Sequence, residues 1–281
     1  MPFVKTGVWL LAGWLLFAWA IMSHAADATV GAVRINPKDG AEMVFVPAGP
    51  FLMGSADAEF QAVAAMRPAE WRREVFATEQ PQRSVTLDGY WIYKREVTVA
   101  QYRKFCRETG RAMPDVGNNG AWKDSDAIGN VNWFDADAYA AWAGAALPTE
   151  AQWEKAARGT DGRRYPWGDA WDQTKCINPK SLQTLQPGDP VGASPYGALD
   201  MAGNLWEWCR DWYDPAYYAT APAVNPPGPA TGTHKVLRGG SLNTWNGGVY
   251  FRCAYRDTAS LPGYRVALFG FRCVVPAEEE K

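Results

Sequence analysis

The sequence predicts an α+β fold with few, short strands and helices joined by long ordered loops. Before residue 100, short apolar runs are interrupted by proline and glycine, which is typical of short strands. Three helix-start signals follow between residues 98 and 152. Beyond residue 160 the helix signals stop, yet seven of the fifteen tryptophans lie at or beyond position 153.

The first strands are predicted where apolar residues alternate with turn residues. Residues 42–49 and 51–54 form two such runs, and we expect them to pair as an opening hairpin. Residues 56–76 carry apolar side chains at helical spacing with charges between them, which predicts a helix. Strands are expected again at 84–87 and 91–97.

Helices are predicted by capping signals. Residues 98–101 and 149–152 each read as a capping box, in which a threonine hydroxyl and a glutamine amide satisfy free backbone N–H groups. The first box predicts a helix to about residue 109, and the second a helix to about residue 158. Another helix is expected to begin at Asn132.

The segment after residue 160 is rich in proline and glycine, a composition that often indicates disorder. Its tryptophans argue against disorder, because large aromatic groups bury enough apolar area to hold irregular backbone in place. We therefore expect long ordered loops packed on a small sheet.

The amino-terminal residues have the order of a secretory signal peptide. One cation, Lys5, precedes an apolar run over 7–22, and small residues stand at Ser23 and Ala25. Residues 1–25 are therefore predicted to be a signal peptide, cleaved after Ala25. The alternative is an uncleaved anchor, but sixteen residues fall short of the roughly 20 that span a bilayer. A periplasmic or secreted protein without a stable membrane anchor is expected.

Charge and histidine content exclude several functions. Without residues 1–25 the chain keeps 27 Lys and Arg against 30 Asp and Glu, so concentrated positive charge for nucleic acid is absent. Only His24 and His234 occur, and His24 leaves with the signal. A Cys/His zinc cluster or a multi-histidine iron site is therefore excluded. His234 is expected on the surface.

Five cysteines remain, and no pair has the Cys-x-x-Cys spacing of a redox or metal motif. In an oxidising compartment they allow at most two disulfides and one free thiol, with the connectivity left open. A structural role is expected for Cys106, Cys176, Cys209, Cys253 and Cys273.

A series of motifs follows in order along almost the whole mature chain. They include Leu-Pro-Thr-Glu-Ala-Gln-Trp-Glu at 147–154, Gly-Asn-Leu-Trp-Glu-Trp at 203–208 and Arg-Gly-Gly-Ser at 238–241. Together they resemble the formylglycine-generating enzyme (sulfatase-modifying factor) family, over a predicted domain of residues 40–276. The resemblance implies an irregular, C-type-lectin-like α+β fold, in agreement with the elements above.

Catalysis in that family uses two cysteines just after the Gly-Gly-Ser motif to hold copper. Here Thr244 stands at the first position, and Gly248 or Val249 at the second. Cys253 comes too late and matches a structural disulfide position instead. Thiolates suit copper(I) because both are soft, and these residues cannot replace them. Copper is therefore not expected.

The resemblance also implies structural calcium. Asn204 and Glu207 match the family's calcium segment, and a second site would use Asn178 and Asp189. An amide oxygen, a carboxylate and backbone carbonyls are suitable ligands for this hard ion. The alternative is that Asn204 caps a turn and Glu207 is solvated.

By the same correspondence, four residues are expected to line a substrate cleft: Arg238, Ser241, Asn243 and Trp245. The alternative for these four is turn formation and packing. Their position just before and after the Gly-Gly-Ser motif makes this segment the candidate functional site.

Three functions remain open. The first is an exported accessory or maturation factor for another exported protein or a small substrate, as in nitrite reductase or siderophore pathways, without copper-cysteine oxidase activity. The second is an active formylglycine-generating or related oxidoreductase on sulfatase-like substrates. The third is a lectin-like variable ligand-binding protein of a diversity-generating retroelement, with variation at Thr244, Trp245, Tyr250, Tyr255, Asp257, Tyr264 and Val266.

Overall fold

The computed structural model describes most of the predicted domain. The described residues are Met1 and 29–66, 76–115, 122–181, 187–244 and 248–277. The predicted signal peptide, apart from Met1, and Trp245 lie outside these ranges. Within the ranges, no helix combines the length and the apolar character needed to cross a membrane.

A four-stranded antiparallel sheet lies at the centre and joins the two ends of the domain. Its strands, in spatial order, are β1 (Val33–Ile35), β2 (Glu42–Val46), β5 (Tyr90–Tyr93) and β10 (Val274–Pro276). Val44 and Ile92 belong to one buried cluster, while Met43 and Tyr93 belong to another. The sheet is therefore covered on both faces, and β1 is a strand that the sequence pattern did not predict.

The predicted opening hairpin is wrong, although both of its strands exist. Strand β2 pairs with β1 and β5, whereas β3 (Gly49–Met53) pairs with β4 (Arg83–Leu87) in a separate two-stranded sheet. The connection between β2 and β3 is held by the buried ammonium of Lys155, which donates to the carbonyls of Pro47 (2.6 Å) and Gly49 (2.9 Å). Burial lowers the pKa of Lys155 to about 8. These contacts, which are distant in the sequence, stabilise the connection between the two sheets.

The helices follow the capping signals closely. They are α1 (Asp57–Met66), α2 (Val99–Thr109), α3 (Trp133–Trp142), α4 (Glu150–Arg158) and a short α5 (Tyr217–Thr220). Both predicted capping boxes are confirmed, and Gly110 ends α2 in the left-handed conformation with φ 72°. Helix α3 begins after Asn132, close to the predicted start, and Asn132 caps it through a box with Asp135 that the pattern did not reveal. The predicted helix over 56–76 is confirmed for α1, and residues 67–75 lie outside the described ranges.

The carboxy-terminal half contains the small sheet that the aromatic content indicated. Its strands, in spatial order, are β8 (Asp257–Ser260), β7 (Lys235–Arg238), β6 (Trp206–Trp212) and β9 (Phe269–Gly270). Only the β6–β9 pair is parallel among these, and register shifts interrupt the ladder on both sides of β7. The irregular register explains why no strand pattern is visible in the sequence here.

Buried ion pairs fasten the loops to the core. Among the described residues, five arginine side chains are fully buried: Arg158, Arg238, Arg252, Arg256 and Arg272. Two carboxylates on α4 receive three of them, and Glu79 accepts both terminal nitrogens of Arg252 at 2.6 Å. Arg256 also forms a bidentate pair, in which its Nε and Nη2 donate to the two oxygens of Glu150 at 2.7 and 2.9 Å. Charge-assisted bidentate pairs of this kind offset the cost of removing the ions from water.

All five cysteines lie in the described ranges, and all are free and buried. The possible disulfides are therefore not formed, and the structural role is one of packing. Cys209 and Cys253 belong to one core cluster, and Cys106 and Cys273 to the other. Burial raises the pKa of each thiol, to about 12 for Cys176 and Cys253. The thiols are therefore protonated and unreactive at neutral pH.

Candidate functional site

The Gly-Gly-Ser motif forms a sharp turn after strand β7. Gly239 and Gly240 have φ values of 97° and 77°, in the region that favours glycine. A Cβ on Gly240 would stand 2.9 Å from the ring of Phe251. The motif therefore needs glycine both for its backbone conformation and for its close packing.

Residues 241–244 close into a second turn. The Thr244 N–H donates to the Ser241 carbonyl at 2.9 Å, and the Ser241 N–H donates to the Thr244 hydroxyl at 3.0 Å. The two hydroxyls lie 3.2 Å apart, and Ser241 is buried. Ser241 therefore stabilises the turn, and only Asn243 at its tip is exposed.

Arg238 does not line a cleft. Its side chain is fully buried and donates to Glu154 and to the carbonyl of Tyr255. Its Nε stands 3.5 Å from a Glu150 oxygen. Of the four residues expected in the cleft, Arg238 and Ser241 thus have the alternative role of packing and turn formation. Asn243 is exposed, and Trp245 lies outside the described ranges.

The second copper position is closed by packing. Gly248 has φ 89°, and a Cβ there would stand 2.4 Å from the ring of Trp171. The next residue, Val249, is fully buried in an apolar cluster with Val63 of α1 and Phe76. Each of the two positions is therefore covered by an apolar side chain.

Among the residues that the structure describes, Thr244 and Leu242 of this turn line two different cavities. The smaller, here called the Thr244 cavity, has a volume of about 60 Å³ and is lined by Trp171, Gln173, Asn178, Pro179, Lys180, Thr244 and Phe251. The larger, here called the Leu242 cavity, has a volume of about 250 Å³. It is lined by Trp122, Asp126, Ala127, Gly129, Ile177, Pro187, Asn204, Leu205, Leu242 and Ala267. These cavities are where a ligand could contact the turn.

The 203–204 turn contributes Asn204 to the lining of the Leu242 cavity. Gly203 and Asn204 have positive φ values of 87° and 59°. The Gly203 N–H donates to Gly239 at 2.9 Å, and the Asn204 N–H donates to Ile177 at 3.0 Å. In return, the Leu242 N–H donates to the Asn204 carbonyl at 2.8 Å. Asn204 therefore ties three separate segments together.

Glu207 does not fit a calcium site. Arg272 donates to both of its oxygens, at 2.6 and 2.7 Å, and the Trp153 indole N–H donates to one of them at 2.8 Å. The carboxylate is fully buried and its charge is neutralised by the guanidinium. It is therefore neither solvated nor free to bind a cation.

The other expected calcium ligands stabilise their own turns. Asn178 accepts from the Lys180 N–H at 2.9 Å, and Asp189 accepts from the Val191 N–H at 3.2 Å. The Asn204 amide donates to Glu96 at 2.9 Å. Across the described ranges, no three His, Cys, Asp or Glu side chains are grouped to hold a metal ion. Calcium thus stays a prediction of the resemblance, and no function is derived through it.

Buried Glu96 and half-buried Asp200 were not predicted as site residues, and the Glu96 carboxyl accepts from the Asn204 amide. Burial, together with the nearby Asp200 carboxylate, raises the pKa of Glu96 well above its ordinary value. Burial also raises the pKa of Asp200 to about 6, although Asp200 accepts from the Gly188 N–H at 2.6 Å. Glu96 begins the sequence Glu-Val-Thr at 96–98, which gives no indication that its side chain is buried. The Glu96 carboxyl orients Asn204 by accepting from its amide N–H at 2.9 Å.

Comparison with known proteins agrees with this fold. Residues 29–277 match the sulfatase-modifying factor enzyme 1-like domain, and the chain belongs to this family. It is 33% identical to the formylglycine-generating enzyme of Streptomyces coelicolor over an alignment 320 positions long, which covers 93% of this chain and 97% of that protein.

Two solved structures have a similar fold. PvdO from Pseudomonas aeruginosa matches with a TM-score of 0.71 and 23% identity, covering 89% of this chain and 99% of that one. Treponema denticola variable protein 1 matches with a TM-score of 0.65 and 20% identity, covering 88% and 99%. The expected C-type-lectin-like α+β fold is confirmed.

Proposed function

We propose that this chain is an accessory or maturation factor that binds another exported protein or a small substrate, and that it does not oxidise cysteine through copper. The observation that carries this proposal is the packing at the second copper position. Gly248 lies against Trp171, and Val249 is buried under α1. With Thr244 at the first position, the turn offers no thiolate to a soft metal ion.

Without thiolates for copper, the site still has cavities suited to binding a ligand. The two cavities along the 241–244 turn combine apolar walls with a few polar groups, the usual composition of a ligand pocket. Export to the periplasm or the exterior is proposed on the pattern of residues 1–25. A nitrite reductase or a siderophore pathway is a suitable context for such a factor.

Two alternatives each have one observation in their favour. An active formylglycine-generating oxidase is favoured by the 33% identity to the Streptomyces enzyme. A variable ligand-binding protein is favoured by the exposed side chains of Tyr264 and Val266, which are 53% and 36% exposed. Tyr255 in the same predicted variable set is only 5% exposed, so it has a packing role instead.

Peptide conversion separates the accessory factor from the oxidase. A peptide containing Cys-x-Pro-x-Arg, incubated with this protein, Cu(I) and oxygen, is expected to yield no aldehyde above the protein-free level. Mass spectrometry after trapping with a hydrazide reports the aldehyde, and the Streptomyces coelicolor enzyme is the positive control. Conversion that is abolished by replacing one of the five cysteines with serine would refute the proposal.

A further inference from the structure

We infer that the Leu242 cavity binds an alkylammonium group, meaning a protonated primary amine on a short apolar stem. This inference rests on the proposed function, because the cavity borders the same 241–244 turn. It goes further by naming the chemistry of the ligand. A free amine and a lysine side chain of a partner protein share that chemistry.

The walls of the cavity are suited to an apolar stem. Ile177, Leu205 and Leu242 line it together with Pro187 and Ala267. The volume of about 250 Å³ is enough for one extended side chain and too small for a folded segment. An apolar stem of a few methylene groups would displace water from these walls on binding.

One carboxylate gives the cavity its charge. Asp126 is the only ionisable residue among the lining residues that the structure describes. Within the described ranges no lysine or arginine forms an ion pair with it, in contrast to Asp124, which pairs with Arg103. One oxygen of this carboxylate accepts from the Lys123 N–H at 2.9 Å. A cationic ligand is therefore favoured over a neutral or anionic one.

Two further groups are suited to an ammonium rather than to another cation. Trp122 contributes an aromatic surface, which attracts an alkylammonium through its π electrons. The Asn204 amide nitrogen is already bound to Glu96, at 2.9 Å, so the amide oxygen is left to accept from a ligand. Three N–H donors on one ammonium can reach a carboxylate, an amide oxygen and water together.

The test uses n-butylammonium as the probe and the whole protein at pH 7, with binding followed by isothermal titration calorimetry and ligand-observed NMR. We expect millimolar binding of n-butylammonium. n-Butanol and butyrate, which have the same stem without the positive charge, are expected to bind at least about tenfold more weakly. Equal binding of the three probes would overturn the inference.

Three variants test whether n-butylammonium binds in the Leu242 cavity. Asp126→Asn keeps the acceptor for the Lys123 N–H and removes only the charge, and is expected to weaken n-butylammonium at least about tenfold. Asp124→Asn is the matched control, since this neighbouring carboxylate does not line the cavity. Ala267→Leu fills the cavity from an exposed position and is expected to abolish binding. Unchanged binding to Asp126→Asn, or equal weakening by Asp124→Asn, contradicts the inference.

A second probe identifies the source of the ligand. A capped Gly-Lys-Gly peptide that binds more tightly than n-butylammonium indicates a protein partner, while tighter binding of the free amine indicates a small molecule. The outcome is independent of peptide oxidation. If the protein binds no amine but also forms no aldehyde, the inference about the cavity fails and the proposed function stands. If the protein binds the amine but forms aldehyde, the proposed function fails and the amine site stands.

Discussion

Replacing Arg272 with methionine is expected to lower the free energy of unfolding by about 3–5 kcal/mol. The guanidinium donates to both Glu207 oxygens, at 2.6 and 2.7 Å. It also donates to the carbonyls of Tyr93 (3.0 Å), Lys94 (3.3 Å) and Leu199 (2.8 Å), so every N–H is used. Methionine keeps much of the volume but leaves a buried carboxylate without its counter-ion. Urea unfolding followed by tryptophan fluorescence measures the loss.

The control for this experiment is Arg103→Met on helix α2. Arg103 forms an ion pair with Asp124, but the two side chains are 42% and 68% exposed. Exposed pairs contribute about 0–1 kcal/mol, so only a small change is expected. Losses of the same size in the two variants would show that burial of the Arg272 pair has no special role in stability.

Gly203→Ala is expected to destabilise the protein by about 3 kcal/mol, combining backbone strain with a steric clash. Gly203 has φ 87°, and a Cβ would stand 2.2 Å from the carbonyl oxygen of Ile177. The two backbones cannot keep their hydrogen bonds at that separation. Because the same turn shapes the Leu242 cavity, binding of n-butylammonium should weaken in parallel.

Gly144→Ala separates the two contributions. Gly144 has a similar φ of 67°, but a Cβ there meets nothing within 4 Å. Only the conformational cost of about 1–2 kcal/mol is therefore expected. The two alanine variants could instead lower the urea midpoint of unfolding by the same amount. That result would show that the close approach of the Ile177 carbonyl is not the reason why position 203 requires glycine.

Local signals in the sequence were sufficient for the helices and insufficient for the sheets. A capping box is complete within four residues, so the starts of α2 and α4 could be predicted from 98–101 and 149–152 alone. Strand β2 pairs with β5, β3 pairs with β4, and Lys155 binds the connection between β2 and β3, so every one of these partners is distant in the sequence. No local pattern contains that information.

In the candidate site, too, local backbone features could be predicted from the sequence, whereas the contacts of charged side chains could not. The glycines in the motifs at 203–208 and 238–241 indicate backbone conformation directly, and the structure has positive φ at Gly203, Gly239 and Gly240. The roles of the charged residues could not be predicted. Arg238 and Glu207 are buried in ion pairs, and charged residues are expected at the surface unless a distant partner is known. Asp126 and Trp122 belonged to no motif, so their shared cavity appears only in the structure.

An anaerobic titration with Cu(I) held by bicinchoninate tests the central claim most directly. The claim is that the 241–249 segment offers copper no thiolate and that the five buried cysteines do not replace the missing pair. We predict that the protein removes no stoichiometric copper from the chelator at neutral pH. Uptake of one Cu(I) per chain, lost when a single cysteine is replaced by serine, would contradict the account.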